Sequence, residues 1–216
     1  AKMHYNETDA YRASLDARMT GSCGYWPEGV TNVDQAQEAK LDMICRKVQL
    51  KAGETVWDIG CGWGAFMGFA AEKYGANCVG VTVSPDQAEY GRERYKGLPV
   101  EFQVKDYREF TGKADKVVSM GMFEHVGYKN FRTYFETARR VIKADGLILM
   151  HTIGSPVSKE TIEPWVEKYI FPGGVLPSIK QVGEAIEGLF TVIDVHNIGP
   201  HYDTTLVAWW DNFRTK

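Results

Sequence analysis

The sequence predicts an α/β domain, a mainly parallel β-sheet with helices on both faces. Three observations lead there. Short apolar runs alternate with helical patterns along most of the chain. The run Asn77–Val83 is apolar on nearly every residue, as a strand must be when both of its faces are covered. The stretch Trp57-Asp58-Ile59-Gly60-Cys61-Gly62-Trp63-Gly64 places an acid and alternate glycines between a strand-like and a helix-like run, where a parallel strand turns into its helix.

In chain order, residues 1–50 form a helical N-terminal cover. Within it, Ala36, Ala39, Leu41, Met43, Ile44 and Val48 mark one helical stripe over Asp34–Leu50. The α/β core is expected over 51–198. Its first strand is about 54–59, followed by an apolar helix over Ala65–Tyr74, and its second is Asn77–Val83. Ser84-Pro85-Asp86 then opens a helix, with Ser as cap, Pro in the first turn and an acid near the positive helix end. Further strands fall at Val100–Val104, Lys116–Met120 and Leu147–Thr152, with a helix over Phe131–Ile142. The segment 155–178 contains Pro156, Pro164, Pro172 and Pro177 and is longer than an ordinary connection, which points to a functional element such as a lid. Its Tyr169, Ile170, Phe171, Val175 and Leu176 fit a cover over an apolar ligand and equally a cover over the core. A helix over Ile179–Phe190, a sixth strand over Thr191–Asn197 and a helix over Thr204–Phe213, inside a terminal unit 199–216, complete the order. Trp209 and Trp210 on that last helix are expected to pack into the core.

Composition bounds the function. The chain has 216 residues, 44% of them hydrophobic, enough for one domain with a full core. Its net charge of −3 gives no global attraction to nucleic acid or anionic lipid. There is no apolar run of about 18 residues and no signal-peptide layout, so a soluble, cytoplasmic protein is expected. Cys23, Cys45, Cys61 and Cys78 lie far apart without a CxxC pair, which argues against a zinc ribbon or a redox motif, and no metal site is expected.

Glycines at 60, 62 and 64 allow a ligand to approach the backbone, because no Cβ intervenes. Their GxGxG spacing differs from the GxGxxG of dinucleotide folds. It points towards S-adenosylmethionine, a nucleoside with an amino-acid tail, although a bare strand-to-helix turn reads the same way. Ligands of open parallel sheets bind beyond the carboxyl ends of the strands. The segments Gly60–Gly64, Thr82–Gln87, Asp106–Arg108, Gly121–Gly127 and His151–Gly154 are therefore the places to seek function.

Several segments together are far more specific. Ser22-Cys23-Gly24-Tyr25-Trp26, Asp58-Ile59-Gly60-Cys61-Gly62-Trp63-Gly64, Gly80-Val81-Thr82-Val83-Ser84 with Gln87, Gly121-Met122-Phe123-Glu124-His125-Val126-Gly127, His151-Thr152-Ile153-Gly154, Lys168-Tyr169-Ile170-Phe171-Pro172-Gly173-Gly174 and Tyr202-Asp203-Thr204-Thr205-Leu206 occur in this order. Over essentially the whole chain they resemble the catalytic domain of cyclopropane-fatty-acyl-phospholipid synthases, relatives of mycolic acid cyclopropane synthases and methyltransferases. The resemblance implies a Rossmann-like class I methyltransferase fold, with S-adenosylmethionine as methylene donor and bound bicarbonate as general base. The acceptor it implies is the cis double bond of an unsaturated membrane phospholipid. A protein peripheral to the inner face of the membrane, in transient contact with its surface, follows from that substrate. Alternatives within the fold are a lipid or small-molecule methyltransferase, or an inactive cofactor-binding fragment.

For the donor, the resemblance assigns Ser22, Asp58, Gly60, Gly62, Gly64, Thr82, Gln87, Asp106 and Tyr107 to the cofactor, with Asp106 fitting a turn cap almost as well. Thr82 and Gln87 stand where many methyltransferases hold the ribose with an acid. The acceptor is harder. An alkene is a feeble nucleophile with no proton to remove beforehand, and methyl attack leaves a carbocation. A base must then take a proton from the new methyl so that the ring closes. The resemblance assigns that base, bicarbonate, to Cys23, Glu124, His151, Tyr202 and the backbone of Ile153. Glu124 is expected to accept the bicarbonate O–H, while His151 and Tyr202 donate.

Two departures stand out. Gly21 replaces a Tyr that many relatives carry before Ser-Cys, near the cofactor's carboxylate. The chain also ends at Lys216, before the family's last, antiparallel strand. An incomplete six-stranded sheet with an exposed or borrowed edge is therefore expected, and such an edge invites swapping or a homodimer.

Overall fold

The computed structural model describes residues 9–169 and 171–215. It holds a five-stranded parallel sheet in the order β3-β2-β1-β4-β5. The strands are β1 (Thr55–Ile59), β2 (Asn77–Thr82), β3 (Val100–Val104), β4 (Ala114–Met120) and β5 (Ile142–His151). The helices are α1 (Asp9–Ser14), α2 (Val33–Lys47), α3 (Ala65–Tyr74), α4 (Pro85–Arg94), α5 (Phe131–Val141), α6 (Pro164–Tyr169), α7 (Ile179–Ile186) and α8 (His201–Thr215). The α/β layout expected from the sequence is thus present, and most boundaries agree within a few residues.

Side chains alternate between two cores. Along β1, Val56 joins Leu41, Ile44, Phe66, Met67 and Phe102 beneath α2, α3 and α4. Its neighbour Trp57 joins Ile59, Phe110, Phe123 and Phe135 on the opposite face, beneath α5 and α7. Adjacent residues of β4 divide in the same way, Val118 to the first core and Val117 to the second. Burial on both faces follows from the crossover helices that a parallel sheet requires. Local signals placed the helices as expected. Ser84 caps α4 by accepting from the backbone of Gln87, and Ser178 with Gln181 forms a reciprocal capping box at α7.

Trp57 is fully buried and stacks on Phe110 at 4.1 Å between ring centroids, yet its indole N–H has no hydrogen-bond partner among the described residues. Truncation to Ala is expected to cost about 3–5 kcal/mol through lost burial and a cavity. Trp57→Phe is expected to cost far less, because it keeps the stack and removes an unsatisfied donor. Urea unfolding of both variants checks the ordering, and equal losses would contradict it.

The sixth strand is not formed. Residues 191–197 are irregular and exposed, with Val192, Ile193 and Val195 at 57%, 79% and 65%. Their β-branched side chains fit a pleated surface, but a strand also needs a ladder partner, and among the described residues none pairs with this segment. The sheet is therefore five-stranded rather than six-stranded, and β5 is one of its edges. Trp210 is likewise 56% exposed rather than packed into the core, stacking on Phe213 at the surface of α8. In the long connection, Val175 is buried in the second core while Trp165 and Tyr169 are exposed. Ile170 lies outside the described residues.

Candidate functional site

The site lies at the carboxyl ends of β1, β2, β4 and β5. Asp58 sits one residue from the end of β1, buried between parallel partners β2 and β4. Neither carboxylate oxygen has a hydrogen-bond partner among the described residues. Burial pushes its pKa up to about 7. A buried carboxyl without a partner is costly to the folded state.

The glycine loop above it divides its work. A Cβ on Gly60 would lie 2.5 Å from Cγ of Met122, and one on Gly64 would lie 2.3 Å from the Phe102 ring. Both positions are closed by the protein's own packing. A Cβ on Gly62 would meet nothing within 4 Å, so Gly62 is the one that opens on free space. At the end of β2, Thr82 donates its hydroxyl proton to Gln87 Oε1 at 3.0 Å. That pairing holds the buried amide in place and keeps its NH2 as the donor group.

Asp106 is engaged elsewhere. It caps a short 3-10 turn and binds the Arg108 guanidinium through both oxygens, at 2.9 and 2.6 Å. That partner holds its carboxyl below the usual range. Its contacts here are the cap of that turn and the ion pair to Arg108. Tyr107 beside it is partly buried, with its ring 5.7 Å from that of Tyr134.

A second cluster forms across the ends of β4 and β5. Met120 pairs with His151 in the ladder, and the turn after β4 carries Glu124 back to the loop after β5. Ile153 N–H donates to Glu124 Oε1 at 2.8 Å, leaving Oε2 buried and unpartnered. The amide of Ile153 is thereby committed to orienting Glu124 rather than left free for an anion. Burial raises the Glu124 pKa, and the Ile153 bond opposes that only in part. His151 Nδ1 is also enclosed and unpartnered. Burial lowers its pKa to about 3, with the nearby Lys40 ammonium adding to the effect, so the imidazole is neutral.

From the N-terminal side, Cys23 reaches the cluster through a loop pinned to α8. Gly24 N–H donates to Thr205 Oγ1 at 3.0 Å, Trp26 N–H donates to His201 Nδ1 at 2.9 Å, and the Cys23 thiol faces Ile198 O at 3.8 Å. Burial raises the thiol pKa, so Cys23 carries its proton. Tyr202, at the start of α8, is pushed up to about 12, first by burial and then by the nearby Cys23 and Glu124. Its hydroxyl is a donor at any physiological pH. The structure thus sets Tyr202 near Cys23 and Glu124, Ile153 on Glu124, and Cys23 and His151 each near Lys40.

Two residues of this region are absent from the sequence-based assignment. Gln37 and Lys40, one helical turn apart on α2, are both fully buried. Gln37 Nε2 donates to the Ser22 carbonyl at 2.8 Å, and Lys40 Nζ donates to Ser22 Oγ at 2.7 Å. Their positions belong to the buried stripe of α2 that includes Val33, Ala36, Leu41 and Ile44. A lysine at a core position of a helical period was the available signal.

Comparison with known proteins follows the same lines. The family model for mycolic acid cyclopropane synthetase matches residues 1–216. The chain is 46% identical over 213 residues to the cyclopropane-fatty-acyl-phospholipid synthase of Escherichia coli K12, covering 98% of this chain and 56% of that one. It is 36% identical over 225 residues to cyclopropane mycolic acid synthase 3 of Mycobacterium tuberculosis, covering 95% of this chain and 78% of that one. The crystal structure of mycolic acid cyclopropane synthase CmaA1 complexed with SAH and CTAB is similar with a TM-score of 0.91 and 34% identity, covering 99% of this chain and 82% of that one. The chain therefore spans a little over half the length of its Escherichia coli relative.

Proposed function

The chain belongs to the mycolic acid cyclopropane synthetase family, and we propose on that basis that it is an S-adenosylmethionine-dependent catalytic domain that converts the cis double bond of a phospholipid acyl chain into a cyclopropane ring. One observation carries the reading. Buried, unpartnered polar atoms of Asp58, Glu124 and His151 stand at the ends of adjacent strands, where ligands of such sheets bind.

Each half of the site has residues suited to its ligand. In the donor half, Asp58 offers two free oxygens to an ammonium, Gly62 leaves room for close approach, and the Thr82–Gln87 pair presents an amide to the nucleoside. In the acceptor half, Glu124 Oε2 accepts an O–H while His151, Tyr202 and Cys23 donate. S-adenosylmethionine is the source of an electrophilic methyl and bicarbonate the source of the base. Residues 9–50 cover the site, the core expected over 51–198 supplies the strand ends, and the terminal helix brings Tyr202. Exposed Trp165 and Tyr169 on α6 offer apolar contact to a bilayer during acyl-chain capture. That contact is transient and made at the inner face of the membrane. Among the described residues no helix is long and apolar enough to cross a membrane.

The test is incubation with labelled S-adenosylmethionine and unsaturated phospholipid vesicles, with and without bicarbonate. The expected product gains one CH2, loses its vinyl protons in the NMR spectrum and forms faster with bicarbonate. A product that gains the same mass but keeps an alkene would make this a lipid methyltransferase. Cofactor binding without any product would make it a binding module.

A further inference from the structure

The acceptor half just proposed lacks an assigned cation, although its base is an anion, Glu124 acts as a carboxylate, and Cys23, His151 and Tyr202 are neutral. A buried anion needs a paired charge, because desolvation disfavours it strongly. We infer that Lys40 is the positioning cation of this pocket, holding the Ser22–Cys23 loop in place and supplying the positive charge against which bicarbonate is bound. The inference rests on the bicarbonate reading above and deepens it.

Lys40 is 0% exposed and among the described residues forms no ion pair. Its single hydrogen bond among those residues is to Ser22 Oγ. Ammonium is a donor only, so the Ser22 hydroxyl must accept from it and is free to direct its own proton to a ligand. Gln37 grips the carbonyl of the same residue, and its own Oε1 is left buried and unpartnered. The charged and titratable groups facing Lys40 are Asp16 from the loop after α1, Cys23 from the pinned loop and His151 from β5. Asp16 is occupied by the Thr20 and Arg18 amides, at 2.6 and 2.8 Å. Burial lowers the Lys40 pKa to about 7, with Asp16 and Cys23 opposing it, and an adjacent anion favours the charged form. Ser22 precedes Cys23 directly in the chain, so the Lys40 bond to Ser22 Oγ sets the charge beside a residue of the acceptor half.

Lys40→Met keeps the side-chain volume and removes the charge. Lys40→Gln removes the charge but keeps a donor for Ser22, and it serves if the Met variant does not fold. Bicarbonate binding by calorimetry and the bicarbonate dependence of turnover are measured for each, with S-adenosylhomocysteine affinity as control. The expected result is a bicarbonate requirement raised roughly tenfold or more, with cofactor affinity within about twofold. An unchanged bicarbonate response in a folded variant overturns the inference. So does a loss confined to S-adenosylhomocysteine, which would assign the cation to the cofactor's carboxylate. If the native chain itself neither binds nor responds to bicarbonate, the base assignment fails first and this inference fails with it.

Discussion

Glu124→Gln is expected to lower turnover by about two to four orders of magnitude while S-adenosylhomocysteine still binds within about twofold. The substitution is nearly isosteric and keeps an oxygen to accept from Ile153 N–H. What changes is the enclosed Oε2 position, where an acceptor becomes an NH2 donor. A donor there opposes the O–H of a bound bicarbonate and no longer orients its basic oxygen. Folding is expected to be unaffected or slightly improved, because burial already disfavours the charged carboxylate. The pH profile adds a second readout. The accepting role requires ionised Glu124, so activity is lost as pH falls through its raised pKa. The acidic limb should therefore lie above the ordinary Glu range, and the residual activity of the Glu124→Gln variant should lack it. Turnover within about threefold of the native chain would remove Glu124 from the reaction.

Asp58→Asn is expected to make the ligand-free protein more stable at pH 8 and the cofactor complex weaker. The folded-state pKa of Asp58 is raised from 3.8 to about 7. A raised acid is most compatible with folding below its unfolded value, and stability is lost as pH rises from there through the folded value. Above about pH 7 the cost has an upper size of about 4 kcal/mol. Asn removes the charge at nearly the same volume, so the unfolding midpoint should rise at pH 8 and differ little near pH 4. The same change deprives the ligand's ammonium of its counter-charge and should weaken S-adenosylhomocysteine binding by tenfold or more. Thermal melts at the two pH values and calorimetry at pH 8 read both effects. A variant no more stable at pH 8, or one that binds equally well, would show that Asp58 is not held in strain for this ligand.

Much of the site was legible because its residues follow strands. Asp58, Thr82, Glu124 and His151 each lie at or just beyond a strand's carboxyl end, so local pattern plus the rule for parallel sheets places them together. Gln37 and Lys40 escaped because a lysine within a helical pattern normally reads as a solvated residue. Only the packing of α2 against the Ser22 loop shows that both are enclosed. The three glycines read alike in sequence, yet Met122 and Phe102 occupy the space beside Gly60 and Gly64 and leave Gly62 alone facing outward. The backbone of Ile153 is expected from the sequence to meet the anion, whereas its N–H goes to Glu124 because of how the β4 turn folds back.

By itself the sequence determined the α/β order, the cap of α4, the five strands of the sheet and which residues stand at the strand ends. These depend on period, cap chemistry and turn residues, which are local properties of the chain. Only the tertiary structure decided that 191–197 is not a strand, that Lys40 is enclosed beside the Ser22 loop, and that Asp58 and Glu124 keep oxygens without partners. The physical reason is the same in each case. A strand exists through its ladder neighbour, and a buried charge or an orphaned oxygen is defined by what packs around it from elsewhere in the chain.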